Sequence, residues 1–307
     1  DPSFAWDAAA PFDAESCAER LAGLGLDPDS EALLHAELIG LVHGPIADAG
    51  VIAPMRWHAL SGYSLAATEE TGGVFGVDGG GMSALAAAML AQARCALRLE
   101  TPVARIERHA DRAIVTTAAG EQLEARAVVV TVPLNALGGI EFAPALPDAA
   151  RGWIAQGQAS QGMKLWIRAR GDVPPTLALA PASPLSFVMP DRVTATGETL
   201  LVTFSERASD VRPDDLAWVQ RELDAIAPGY EVVETLTHDW TADPWSRGTW
   251  AVHRPGWWAT GYPAFAAPHG RLVFASGDLS RGWAGFVDGA IESGHTAARR
   301  VRELLAS

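Results

Sequence analysis

The chain has 307 residues, 49% of them hydrophobic and 20% charged, enough apolar material for a sizeable core divided between two domains. Its 23 basic residues against 37 acidic ones give a net charge of -14, and no Lys/Arg-rich stretch interrupts the acidic background, so no nucleic-acid partner is expected. The same charge mildly favours approach by a cationic ligand and also serves solubility.

The two cysteines, Cys17 and Cys95, fit neither a disulfide framework nor a zinc pattern, which suits a reducing compartment and predicts a cytoplasmic protein. Residues 1–71 carry apolar side chains at helical spacing, at Cys17, Leu21 and Leu24 and again at Leu33, Leu34, Leu38 and Leu41. Several helices are expected there, with Asp27-Pro28-Asp29-Ser30 supplying a break and an N-cap. Thr71-Gly72-Gly73, Gly76 and Gly79-Gly80-Gly81 then read as a loop delivering the chain into a packed helix. The apolar run of that helix, Ser83 to Leu99, contains Gln92, Arg94 and Arg98 and cannot cross a bilayer without burying charge.

Beyond the helix the period changes. Val103 to Glu107, Ala113 to Thr117 and Gln122 to Val132 read as three strands of a meander, with turn signals at Ala110-Asp111 and Ala119-Gly120. The last contains Ala127-Val128-Val129-Val130-Thr131-Val132 before Pro133, a continuous apolar run of the kind a central strand of a covered parallel sheet requires. Residues 139–262 mix strands at Lys164 to Arg168, Thr199 to Phe204 and Glu231 to His238 with a helix from Pro213 to Ile226, predicting an α+β unit. Arg271 to Ala275 reads as a short buried strand, followed by Ser276-Gly277-Asp278 and a final helix from Phe286 to Leu304.

A strand that ends in small residues and feeds a helix N-terminus can hold an anion, because unpaired N–H groups and the helix dipole favour negative charge there. On geometry alone the Ser276-Gly277-Asp278 loop is equally an ordinary turn. No HExxH or Cys/His cluster is present, His35 and His43 read as helix residues, and no metal is expected. Gly157-Gln158-Ala159-Ser160-Gln161-Gly162 is one residue too long for a nucleophile elbow.

The longer string from Phe274-Ala275-Ser276-Gly277-Asp278 through Trp283-Ala284-Gly285-Phe286-Val287 to Ser293-Gly294 resembles the C-terminal flavin motif of the flavin-containing amine oxidases, the monoamine-oxidase-like family in its bacterial form. The resemblance implies that Asp278 binds the ribityl chain and that the backbone at Gly277 and from Gly285 through Phe286 to Val287 approaches the flavin. Gly79-Gly80-Gly81-Met82, Thr101-Pro102-Val103 and Val129 to Asn135 resemble a second cofactor segment, with Gly80, Gly81 and Val103 as contacts. Gly162-Met163-Lys164-Leu165-Trp166 is similar to the strand carrying the family's active-site lysine, which holds a water against flavin N5. A lysine is otherwise a solvated residue on an edge strand; buried near a flavin, its pKa would be lowered.

Trp240, Asp243-Pro244, Gly248-Thr249-Trp250 and Arg254-Pro255-Gly256 resemble the segment before the final strand, in which Trp245 is a cofactor contact and Trp250 faces Phe286 across the substrate. Two aromatic walls would exclude water and offer π-faces to a protonated amine, although either ring is equally a core residue. The expected catalytic set is Lys164, Trp250 and Phe286. Thr249 stands where mitochondrial members attach flavin through cysteine, so the implied FAD is non-covalent, and the acidic residue is Asp278 rather than glutamate.

The implied architecture is an α/β FAD-binding domain of the Rossmann-like, glutathione-reductase type plus an α+β substrate domain. The segments are 1–71 (helical part of the substrate domain), 72–138 (FAD domain), 139–262 (substrate domain) and 263–307 (FAD domain). The family's strand with its GxGxxG turn has no counterpart in the chain, and a complementing N-terminal segment or chain is expected, along with a possible homo-oligomer. The implied activity is oxidation of a primary or secondary amine, with oxygen or another electron acceptor downstream. Alternatives are a different flavin dehydrogenase or desaturase of the same fold, and an incomplete subunit that binds FAD only with a partner.

Overall fold

The computed structural model describes residues 6–64, 66–67, 77, 79–171, 173–174 and 177–306. The Asp27 break works as its chemistry dictates: the carboxylate accepts the amides of Asp29 and Ser30, both at 3.1 Å, and Pro28 occupies the first turn of the Pro28–Val42 helix. The preceding helix, Cys17–Gly23, opens on a capping box in which Ser16 and Glu19 satisfy each other's backbone amides. The buried faces differ from the leucine pattern. Cys17, Leu21, Ile39 and Val42 pack with Ile46, Val51 and Val252, whereas Leu24 and Leu33 stay exposed.

The glycine loop lies only partly within the described residues; Thr71-Gly72-Gly73 and Gly76 fall outside them. The helix it precedes is shorter and less enclosed than predicted. It spans Gly81–Gln92 and ends where Ala93 turns extended, and none of its residues is buried. Met82, Met89 and Leu90 all face outward, because no described element covers that surface.

The meander forms as β1 (Val103–Arg108), β2 (Ala113–Thr117) and β3 (Gln122–Ala125), joined by β5 (Glu141–Ala143) in the order β3-β2-β1-β5. The predicted Gln122 to Val132 strand is two strands. After Ala125 the chain leaves the meander, and β4 (Val128–Val130) pairs instead with β11 (Leu272–Phe274), in parallel, with Val129 opposite Val273. The amide of Val128 donates to the carbonyl of Arg271 and starts that register. Among the described residues β4 has β11 as its one partner, and Val129 is 40% exposed rather than covered on both faces.

The remaining strands build a third sheet, β10-β6-β9-β8-β7, from β6 (Lys164–Arg170), β7 (Ala178–Leu179), β8 (Phe187–Val193), β9 (Thr199–Phe204) and β10 (Glu231–Thr237). Strand β6 shows why. Leu165, Ile167 and Ala169 alternate into a core shared with Leu201, Trp218, Val219 and Leu223, while Lys164, Trp166 and Arg168 take the opposite face. Full burial of each Leu or Ile contributes about 1.5–3 kcal/mol, so the register of β6 is strongly determined. The Leu216–Ile226 helix, capped by Asp215, covers this core. The closing helix, Val287–Ala306, packs Ala297, Val301 and Leu304 on Val273 and Ala275. No helix among the described residues is long and apolar enough to cross a membrane.

Candidate active site

Because β4 and β11 run parallel, their C-terminal ends lie side by side, and the crevice outside the carboxyl ends of parallel strands is where such sheets take ligands. Pro133-Leu134 follows one strand and Ser276-Gly277-Asp278 the other. The two are tied directly: the Leu134 amide donates to the Asp278 carboxylate at 2.8 Å.

Asp278 is held from behind as well. His253 is buried, stacked on Trp257 at 4.3 Å between ring centroids, and donates from Nε2 to the Asp278 carbonyl at 2.8 Å. Burial, reinforced by the charge of Arg56, pushes its pKa down to about 3, so the ring is neutral. The buried Arg56 donates to the carbonyls of Arg281 and Gly282 and lies 4.5 Å over Trp258, anchoring the loop that leads to Gly285. Burial lowers its pKa only to about 10, so it keeps its charge. Desolvation raises the Asp278 pKa against the opposing pull of the Leu134 amide and of Gln158.

A cleft of about 330 Å³ opens in front of Asp278. Of the residues singled out from sequence, Lys164, Trp250, Gly277, Asp278 and Gly285 line it together, although they come from three distant stretches of chain. Gly285 has φ +87°, a conformation glycine adopts without strain, and its amide donates to the Gly277 carbonyl at 3.0 Å. Lys164, the first residue of β6, is exposed rather than buried. Its amine still lies 5.0 Å from the Trp166 ring and 5.7 Å from that of Phe204, and partial desolvation lowers its pKa, with Asp191 opposing.

The other sequence candidates lie elsewhere. The Phe286 ring meets Trp57 and Trp283 edge-on at 6.0 and 5.3 Å and does not line the cleft, although the adjacent Gly285 does. Val287 is exposed at the start of the last helix, and Trp245 is 65% exposed beside the cleft-lining Ser246. Gly80 and Gly81, both at positive φ, lead into the uncovered Gly81–Gln92 helix, and Val103 starts β1. None of these six belongs to the cleft wall.

Among the cleft residues not singled out from sequence as site residues are His43, Asn135 and Gln158. For His43 a signal existed, since His-Gly after an amphipathic run marks a helix C-cap, and the residue takes φ +50° there. Asn135 receives the Gln158 amide and donates to the Arg247 carbonyl at 2.8 Å, joining two cleft walls. Nothing local marks Gln158, whose buried side-chain amide reaches toward Asp278 without closing a regular hydrogen bond.

These residues fit a polyol-bearing flavin. Asp278 is a desolvated carboxyl group with capacity beyond the one amide it accepts, and the buried Gln158 amide and Ser276 hydroxyl lack regular partners. Ribityl-type hydroxyl groups, which both donate and accept, match that set.

Comparisons with known proteins give the chain's family and its fold likeness. A family model described as "Flavin containing amine oxidoreductase" matches residues 20–302. The chain is 35% identical over 309 aligned residues to a pseudooxynicotine dehydrogenase of a Pseudomonas species, covering 99% of this chain and 62% of that protein. It is 32% identical to nicotine dehydrogenase of Pseudomonas putida, covering 99% of this chain and 63% of that protein. It therefore spans less than two thirds of these relatives' length. Cyclohexylamine oxidase from Brevibacterium oxydans superposes with a TM-score of 0.73 at 20% identity, over 97% of this chain and 70% of that one, a likeness of fold.

Proposed function

The chain belongs to the flavin containing amine oxidoreductase family, and from that membership we propose that it contributes the active site of an FAD-dependent enzyme oxidising primary or secondary amines. The observation that carries the reading is the convergence of Lys164, Trp250 and Asp278 on one cleft. Non-covalent FAD is held at its ribityl chain by Asp278, with Gly277 and Gly285 allowing close approach of the backbone. Thr249 offers no thiol for attachment. Bound flavin supplies a hydride acceptor, so that the amine leaves as an imine that water hydrolyses.

The chain's own residues do the rest. Trp250, 38% exposed in the cleft wall, gives the amine a flat apolar surface and orients its α-carbon. Lys164, with its lowered pKa, holds a water and exchanges protons in the same space. Phe286, one residue from the cleft-lining Gly285, forms the second wall once its ring turns from Trp57 and Trp283. The relatives named for nicotine and pseudooxynicotine support an alkaloid-like amine as the substrate class. Oxygen or another carrier takes the electrons onward.

The uncovered apolar helix Gly81–Gln92 and the exposed Val129 support one addition: a further polypeptide segment covers that face and completes the FAD site.

The test is the visible spectrum of the purified protein, expressed in full, before and after anaerobic addition of amines that include alkaloid-like secondary amines. Flavin bands that bleach with an amine are the expected result. A flavin that no amine bleaches overturns amine oxidation, and a complete protein without flavin overturns the cofactor.

A further inference from the structure

We propose that His43 is a positioning residue that sets the Trp250 wall of the cleft through a hydrogen bond to Thr249. The residue closes the Pro28–Val42 helix in a left-handed conformation, which turns its side chain out of the helix and into the cleft lining. There Nδ1 lies 2.9 Å from the Thr249 hydroxyl, and the ring packs on Trp250 at 4.6 Å and 38°. The edge of Phe204 closes the other side at 5.2 Å. Phe204 pairs across the sheet with Lys164, so the imidazole sits between the aromatic wall and the lysine strand.

Its backbone serves the same end. The His43 carbonyl accepts the amides of Gln161 and Gly162 at 3.1 and 2.9 Å, which fixes the approach to Lys164. A side chain at Gly162 would meet the imidazole at 2.6 Å, so the glycine leaves the ring its place. His43 Nε2 is buried without a regular hydrogen-bond partner, so the bond between Nδ1 and the Thr249 hydroxyl is the one that orients the ring. Burial leaves the imidazole neutral beside Lys164. One residue therefore spans the lysine and the tryptophan, and the direction of its Nδ1 bond determines where Trp250 stands.

The kinetic consequence rests on the amine reading; the placement of Trp250 does not. The test therefore has two readouts in the full, flavin-loaded protein carrying 5-fluorotryptophan. The Trp250 fluorine resonance is assigned with Trp250→Phe. Thr249→Val and His43→Phe each remove one end of the hydrogen bond. Both are expected to shift or split that resonance and to raise KM for the amine about 10-fold while kcat changes less than about 3-fold, the scale of one buried hydrogen bond. The double variant is expected to be no worse than the worse single, and Thr249→Ser to restore both readouts.

A Trp250 resonance unmoved by Thr249→Val overturns the role, as do effects of the two substitutions that simply add. Thr249→Val decides the matter even if His43→Phe fails to fold. If no amine bleaches the wild-type flavin, the amine reading fails while the fluorine signal still decides where His43 holds Trp250.

Discussion

The amide of Leu134 donates to the carboxylate of Asp278 at 2.8 Å across 144 positions of sequence, and through it the ends of two parallel strands form one wall of the cleft. The carboxyl group pays for this placement in desolvation. Its pKa is raised, so the native state prefers the protonated form, and stability from this group falls as pH rises from the ordinary 3.8 through the raised value. Above that window the penalty is complete. Asp278→Asn removes it and is expected to raise the melting temperature of the flavin-free protein at pH 7 by about 1–3 °C, with no gain below pH 3.8. The same change should weaken flavin binding about 10-fold, the scale of one lost hydrogen bond. Calorimetry with and without FAD checks both signs; a destabilised apo protein would contradict the desolvation argument.

Gly162 tests how tightly the lysine strand and the helix end are packed together. A methyl group there would overlap the Ser205 carbonyl and come within 2.6 Å of the His43 ring. Both neighbours are buried, and the Ser205 carbonyl belongs to the backbone, so relief must come from moving the strand. Gly162→Ala is expected to cost about 2 kcal/mol or more in urea denaturation. Gly152, inside the Asp148–Gln156 helix with open space around it, is the control: Gly152→Ala should stabilise by about 0.5–1 kcal/mol. Equal and small effects at the two sites would show that the junction tolerates motion.

What the sequence made legible was whatever chemistry is local. The Asp27 cap, the alternation of β6, the Thr199–Phe204 strand and the strand-loop-helix around Asp278 are each written in a few adjacent residues. The break between β3 and β4 was not, because Val128 to Val130 changes partners through the distant Arg271 carbonyl, and an apolar run looks the same on either side of such a switch. The openness of the Gly81–Gln92 helix was hidden for a similar reason: an apolar run reports that something should cover it, not what does. Lys164, Trp250 and Asp278 could be singled out by family resemblance, but their meeting depends on two sheet registers. His43 was passed over because a histidine at the end of a helix acquires its role from Thr249, 206 residues away.

Lys164 is expected to control how the rate depends on pH. Partial desolvation lowers its pKa, so its amine becomes neutral at a lower pH than an ordinary lysine at 10.5. If it handles protons in the cleft, the rate of amine-driven flavin reduction should rise along an alkaline limb lying below pH 10.5. Lys164→Met should cut the rate by about 100-fold and abolish that limb. Lys164→Arg, which keeps the charge but cannot lose its proton near neutral pH, should resemble Lys164→Met rather than wild type. Stopped-flow bleaching across pH distinguishes the cases. A Lys164→Arg variant with wild-type rates would reduce Lys164 to a fixed charge.

Two buried histidines make stability fall in mild acid. Burial pushes His43 from 6.5 to about 4 and His253 to about 3, so both are neutral in the native state while the unfolded chain protonates them near 6.5. Their depressed values mean that the stabilising difference is present above the unfolded pKa and is lost as pH falls toward the folded one. Over those spans His43 can remove up to about 3 kcal/mol and His253 up to about 5 kcal/mol. Between about pH 6 and pH 5 these two groups by themselves should make the unfolded state bind close to two more protons than the native state. His253→Gln keeps a donor within reach of the Asp278 carbonyl but does not titrate, and so should lower the pH slope of unfolding free energy by about one proton. Urea midpoints at half-unit steps of pH measure that slope. If His253→Gln left it unchanged, His253 would have to be protonated in the folded protein, its Asp278 contact would be charge-assisted, and the neutral ring behind the flavin carboxylate would have to be abandoned.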